Sequence, residues 1–140
     1  MMTDDGAGDD VRVSDELRDR IAADPYCATL GVDLVALAPG RAVTELQITD
    51  DLVNFHGTPH GGAIYSLADA AFAAASNSHG ETALALETNI SYLEAVDVGG
   101  TLTATAEETH RTDSTAEYEV VVRDDEEDRV ATFRGRVYRP

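Results

Sequence analysis

Residues 54–75, "NFHGTPHGGAIYSLADAAFAAA", form the longest apolar stretch of a chain that carries 27 Asp and Glu in 140 residues, yet they hold a single acid, Asp69. From Gly61 to Ser78, Ile64, Leu67, Ala68, Ala71, Phe72 and Ala75 recur at the three-and-four spacing of one helical face, and no Pro interrupts them. The spacing predicts a helix of about five turns. Its other face carries Ala63, Ser66, Ala70, Ala73, Ala74 and Asn77, small residues where this protein elsewhere places charges. A helix lacking a charged face is expected to be buried nearly all round.

Before this helix, Ser14 can cap a short helix whose Asp15 and Glu16 suit the positive end of its dipole, with Leu17 and Ile21 facing inward. "ADPYCATLG" is expected to end helical structure, because Pro25 restricts Asp24 and Gly31 is free to turn left-handed. "VDLVALAPGRAVTELQIT" reads as a hairpin about Ala38, Pro39 and Gly40. After the helix, the alternating segments 82–93, 101–111, 116–124 and 129–139 are rich in Thr, Val and Tyr and read as four consecutive antiparallel strands. The architecture inferred is α+β, one long central helix wrapped by a highly curved antiparallel sheet. With no internal repeat and no linker, residues 13–140 form one domain and residues 1–12 an acidic disordered tail.

All ten bases are Arg, and against 27 acids they leave a net charge of -17. A phosphate polymer would be repelled, which excludes nucleic acid as a partner. Such a surface suits high salt, where screening tames self-repulsion, so a halophilic setting is expected. No apolar run is long enough to span a membrane, and the acidic start is unlike a secretory signal, which together point to a cytoplasmic protein. Cys27 is the sole cysteine and excludes an internal disulfide.

Against that background Asp69 stands out. Asp is a poor helix-interior residue and lies too far from Gly61 to cap, while Tyr65 and Phe72 flank it at minus four and plus three. A partly desolvated carboxylate is a stronger base than a surface one. Gly61 and Gly62 open the helix, where unpaired amides and a positive dipole could stabilise an oxyanion. Eight helical residues separate the Gly61 amide from Asp69 by about 12 Å, so two subunits must share each site if both act. His56 and His60 bracket a non-helical "GTP" and lack a third ligand at a recognisable spacing, so no metal is expected. His60 is expected to orient the loop or a substrate carbonyl, and Asn54 to hydrogen-bond substrate or water. The Gly-x-Ser-x-Gly elbow of serine hydrolases is absent.

The segment beginning at Asn54, with "HGG" at 60–62 and "LAD" at 67–69, followed by "NISYLEAV", closely resembles hotdog-fold thioesterases of the phenylacetic-acid-degradation (PaaI) type. The resemblance runs from about Asp24 to Arg139. It implies hydrolysis of an acyl-CoA thioester, of aryl-acetyl or other small to medium acyl groups, without metal or organic cofactor. It implies side-by-side homodimers, often paired into homotetramers, with sites at the subunit interface. Asp69 matches the acid that acts as base or nucleophile, Gly61 the amide that polarises the carbonyl, and Asn54 and His60 supporting polar positions. Gly62 and Tyr65 are expected to contact substrate. Some relatives carry Ser or Thr near Ala85, which cannot hold the nucleophilic water here. Arg111, Arg134 and Arg136 are candidate partners for CoA phosphates. The alternatives are a non-catalytic acyl-CoA-binding module, which the acidic tail suits poorly as a DNA-linked sensor, and a hotdog dehydratase, which "HGG" fits poorly.

Overall fold

The computed structural model describes residues 12–140, so the tail expected over residues 1–12 lies, apart from Arg12, outside the described residues. Helix α1 (Asp15–Ala22) starts where the Ser14 hydroxyl accepts a 3.2 Å hydrogen bond from the Leu17 amide. Helical structure does not end at Pro25. A second helix, α2 (Pro25–Leu30), begins there, because Pro at the first helical position needs no donor and the Asp24 carboxylate caps the Cys27 amide at 3.0 Å. Gly31, at φ 91°, supplies the left-handed stop expected of it.

Strands β1 (Asp33–Ala38) and β2 (Arg41–Gln47) form the hairpin about Pro39 and Gly40. After a short 3-10 turn over Asp50–Leu52 comes α3 (Gly61–Asn77), then β3 (Leu84–Tyr92), β4 (Thr101–Arg111), β5 (Thr115–Arg123) and β6 (Arg129–Tyr138). All pairs are antiparallel, in the spatial order β1-β2-β4-β5-β6-β3. The four later strands are therefore not a simple meander. β3 passes over its sequence neighbour β4, which pairs with β2, and takes the outer edge beside β6.

Alternation along the central strands supplies the core. Leu102, Ala104 and Ala106 of β4, Tyr118, Val120 and Val122 of β5, and Phe133 and Val137 of β6 are buried on the face that carries α3. The Phe72 ring meets those of Phe133 and Tyr118 at centroid distances of 5.5 and 5.8 Å. Gly135 permits this approach, since a Cβ there would lie 2.6 Å from the Phe72 ring. Two buried hydroxyls tie helix to sheet. Thr44 donates to the Leu67 carbonyl at 3.0 Å, while Ser78 accepts from the Gly40 amide at 2.8 Å and donates to the Ala75 carbonyl at 2.7 Å.

One face of α3 is not buried in the single chain. Gly62 and Ala73 are exposed, and Ser66, Asp69, Ala70 and Asn77 are half-buried, so the charge-free helix has one open stripe rather than cover all round.

Candidate active site

The loop before α3 is shaped by Asn54. Its Oδ1 accepts from the His56 amide at 2.9 Å and from the Thr58 amide and hydroxyl at 3.2 Å each, while its backbone amide donates to the Thr58 carbonyl at 2.8 Å. The carboxamide oxygen is spent on the turn, and the Asn54 NH2 remains the group for a ligand. The loop delivers His60 to the N-cap of α3, where Nδ1 accepts from the Gly62 amide at 2.8 Å. In the neutral ring the proton therefore sits on Nε2.

That cap separates the two glycines. The Gly62 amide is taken by His60, whereas the Gly61 amide meets no acceptor among the described residues. The first amide of a long helix, aligned with its dipole, is thus open to an anionic oxygen. Tyr92 of β3 closes over this end: its hydroxyl donates to the Gly61 carbonyl at 2.9 Å, and its ring would stand 3.2 Å from a Cβ at position 61. A recess of about 270 Å³ opens beside it between Tyr26, Leu52, His60, Gly62 and Ser66.

Two turns along the open stripe lies Asp69. No donor among the described residues meets its carboxylate. Burial pushes its pKa above the usual carboxylate range, and the Asp24 charge adds to the rise. The same neighbourhood acts on Cys27, whose thiol is pushed up to about 11 by burial, then Asp24 and Asp69. Asp24, Cys27 and Asp69 therefore form one local group. Tyr65 does not face it with a free hydroxyl: that group is bonded to Thr88 of β3 at 2.6 Å, and the ring packs edge-on to Phe133. Ala85 sits at a bulge of the same strand, and Thr88 is the hydroxyl it brings to α3.

The thioesterase superfamily pattern matches residues 56–131. The chain belongs to this superfamily. Acyl-coenzyme A thioesterase PaaI of Escherichia coli is 38% identical over 116 residues, covering 83% of each chain. The solved structure of the E. coli PaaI protein superposes with a TM-score of 0.84 at 36% identity, covering 88% of this chain and 89% of that one. The 1,4-dihydroxy-2-naphthoyl-CoA hydrolase of Listeria monocytogenes is 35% identical over 102 residues, 71% of this chain and 82% of that one. The protein is a thioesterase with the hotdog fold, and the resemblance to the PaaI type holds over most of its length.

In this thioesterase the three arginines considered for phosphates are each engaged with glutamate. Arg111 lies 3.7 Å from Glu81, Arg134 3.4 Å from Glu117, and Arg136 3.1 Å from Glu87. Among the described residues no group of three or more His, Cys, Asp and Glu is disposed to hold a metal ion, and no helix is long and apolar enough to cross a membrane. A separate ionisable cluster, Glu108 with Tyr118 at 2.7 Å and His79 at 2.9 Å, lies at the far end of α3 from Gly61. Tyr92 and Asp24 were missed as site residues. The first ends strand β3 and signals nothing by spacing, while the Asp-Pro pair marked a helix start that reads equally as a stop.

Proposed function

We propose that this thioesterase hydrolyses acyl-CoA thioesters, with Asp69 as the chemical group and the Gly61 amide as the oxyanion donor. The observation that carries the reading is the unpartnered, half-buried Asp69 on the open stripe of α3. A carboxylate with no structural partner is free for chemistry, and its raised pKa makes it the stronger base. Asp69 takes a proton from water, whose oxygen bonds to the thioester carbonyl carbon. The carbonyl oxygen becomes an oxyanion facing the Gly61 N–H. Collapse breaks the carbon–sulfur bond, and the departing thiolate takes the proton back from Asp69, giving carboxylic acid and free CoA. His60 Nε2–H and the Asn54 NH2 flank the carbonyl, Gly62 lends its open Cα surface, and Tyr65 braces the helix against β3.

The Gly61 amide and Asp69 of one helix, about 12 Å apart, cannot meet one carbonyl, so the site is shared between two copies. β3 supports this arrangement. It is an edge strand with no neighbour on its outer side among the described residues, and Leu84, Leu86, Tyr92 and Leu93 on or beside it are each about half exposed, at 46, 49, 51 and 48%. Pairing two β3 edges joins the sheets of a homodimer, which can pair again into a tetramer. The fold's bulky-aryl relative and PaaI itself support an aryl or small to medium acyl group as substrate.

Thiol release from a panel of acyl-CoAs in molar salt tests the assignment. Asp69→Asn is expected to lose at least about a hundredfold in kcat, and native-level turnover by that variant would remove Asp69 from the mechanism. A single turnover in H2¹⁸O separates its two roles. Label in Asp69 indicates attack by the carboxylate itself, with water opening the anhydride at the Asp69 carbon. Label only in the released acid indicates a base when rapid quenching and mass spectrometry find no acyl–Asp69 adduct, and an anhydride opened at the acyl carbon when they find one.

A further inference from the structure

Ser66 lies on the open stripe of α3, one turn before Asp69. Helical residues three apart are neighbours, with Cβ atoms about 5–6 Å from one another. Side chains on a helix also lean toward its N-terminus, so the Asp69 carboxylate tilts back over the turn that holds Ser66. A serine in a helix commonly returns its proton to a carbonyl of the same helix. Ser76 and Ser78 at the end of α3 do so, donating to the Ala73 and Ala75 carbonyls at 3.2 and 2.7 Å. Ser66 does not: its Oγ instead lies 2.8 Å from the Tyr26 hydroxyl of α2.

The local chain sets this approach. Asp24 caps α2 and Pro25 fixes its first turn, so the short helix lies along the stripe, with Asp24 and Cys27 beside the Asp69 charge and Tyr26 against Ser66. The recess of about 270 Å³ that Tyr26 and Ser66 both line leaves ample room for water. β3 supplies no substitute, because Ala85 has no hydroxyl and that of Thr88 is bonded to Tyr65 at 2.6 Å. We infer that Ser66 holds the water that Asp69 activates, and that Tyr26 is the positioning residue that keeps Ser66 turned to it. The inference rests on the reading of Asp69 as the base. Ser66 donates its proton to the Tyr26 oxygen, which leaves a lone pair of Oγ to accept the second hydrogen of the water while Asp69 accepts the first. A lone pair of the water then faces the thioester carbonyl carbon. Without the Tyr26 oxygen, the Ser66 proton turns to the Asp69 carboxylate and competes with the water for it.

Turnover of acyl-CoA thioesters by Ser66→Ala, Tyr26→Phe and the double variant, each over a range of pH, tests this. Ser66→Ala is expected to lower kcat about tenfold, as the loss of one hydrogen bond allows, with KM nearly unchanged. Tyr26→Phe keeps the ring and is expected to lower kcat similarly. It is also expected to move the acid limb of kcat/KM to lower pH, because a proton donated to a carboxylate favours its charged form. Asp24 and Cys27 of α2 and Tyr65 of α3, the titratable neighbours of Asp69, are unaltered in these variants, so the shift reports the Ser66 proton. The double variant is expected to match Ser66→Ala in rate and acid limb, since Tyr26 acts only through Ser66. Native kcat in either single variant, beside an inactive Asp69→Asn, would overturn the inference and leave Asp69 in place. An unmoved acid limb in Tyr26→Phe, or losses that multiply in the double variant, would also overturn it, making Tyr26 a brace between α2 and α3. Native-level turnover by Asp69→Asn would remove the reading of Asp69 as the base and the inference with it.

Discussion

At Asp69 the proposed chemistry and stability pull in opposite directions. Its folded-state pKa is raised, first by burial and then by Asp24, so the folded protein holds this proton more tightly than the unfolded chain does. The stability this brings is full below the unfolded pKa and is lost as pH rises through the folded one. At neutral pH the ionised carboxylate is therefore a net cost. Asp69→Asn is expected to raise the thermal midpoint at pH 7 while abolishing turnover, the gain vanishing once the pH is low enough to protonate Asp69 in both states. A lower midpoint for the variant at pH 7 would show that the carboxylate has a stabilising partner instead. Cys27 reports on the same group. With its pKa near 11, about one thiol in a thousand is ionised at pH 8. Its reaction with a thiol reagent is expected to accelerate about tenfold per pH unit up to pH 10, and Asp69→Asn to shift that rise to lower pH. A plateau by pH 9 in the native protein would contradict the burial and the neighbouring acids assigned to it.

Among elements, α3 was the most readable, because its apolar period and its lack of charge coincide over many turns. Its fit against the sheet depends on one residue that carries no such pattern. Gly135→Ala would place a methyl 2.6 Å from the Phe72 ring, and overpacking of this kind costs about 1–3 kcal/mol, measurable by urea unfolding. A change under about 0.5 kcal/mol would mean that the helix shifts freely on the sheet. The strands were legible from alternation, but their order was not. Alternation tells which face a residue takes and says nothing about which neighbour a strand selects, so β3 beside β6 emerged only in three dimensions. Helix α2 was hidden because Pro25 stops one helix and starts another by the same chemistry. The catalytic candidates Asp69 and Gly61 were visible as exceptions to local pattern, whereas Asp24 and Tyr92 conform to theirs and became legible only through contact.

For the molecule as a whole, two features govern behaviour in solution. The outer edge of β3 is expected to hold two copies together, and a lysine on it should blunt the pairing. Leu86→Lys is expected to weaken association at least tenfold in sedimentation, with activity falling in parallel at low protein concentration. Unchanged mass and activity would place the interface elsewhere. The second feature is the net charge of -17. Its self-repulsion extends over about 10 Å at 0.1 M salt and about 3 Å at 1 M, so the thermal midpoint is expected to climb steadily with KCl across that range. A flat response would show that the acids are arranged without net strain. The exposed Arg–Glu pairs at 3.1 to 3.7 Å offset little of this, since such pairs contribute at most about 1 kcal/mol each.

The place of β3 also bears on how the protein is made. This strand follows α3 directly in the chain, yet its hydrogen-bonding partner is β6, so it must wait for residues 129–138 to leave the ribosome. Tyr92 and Thr88, which brace the start of α3, wait with it. A nascent chain can thus acquire its long helix and its first hairpin before Tyr92 reaches the Gly61 carbonyl. β6 is the strand that anchors β3, and with it the Tyr92 bond that holds the Gly61 carbonyl in place.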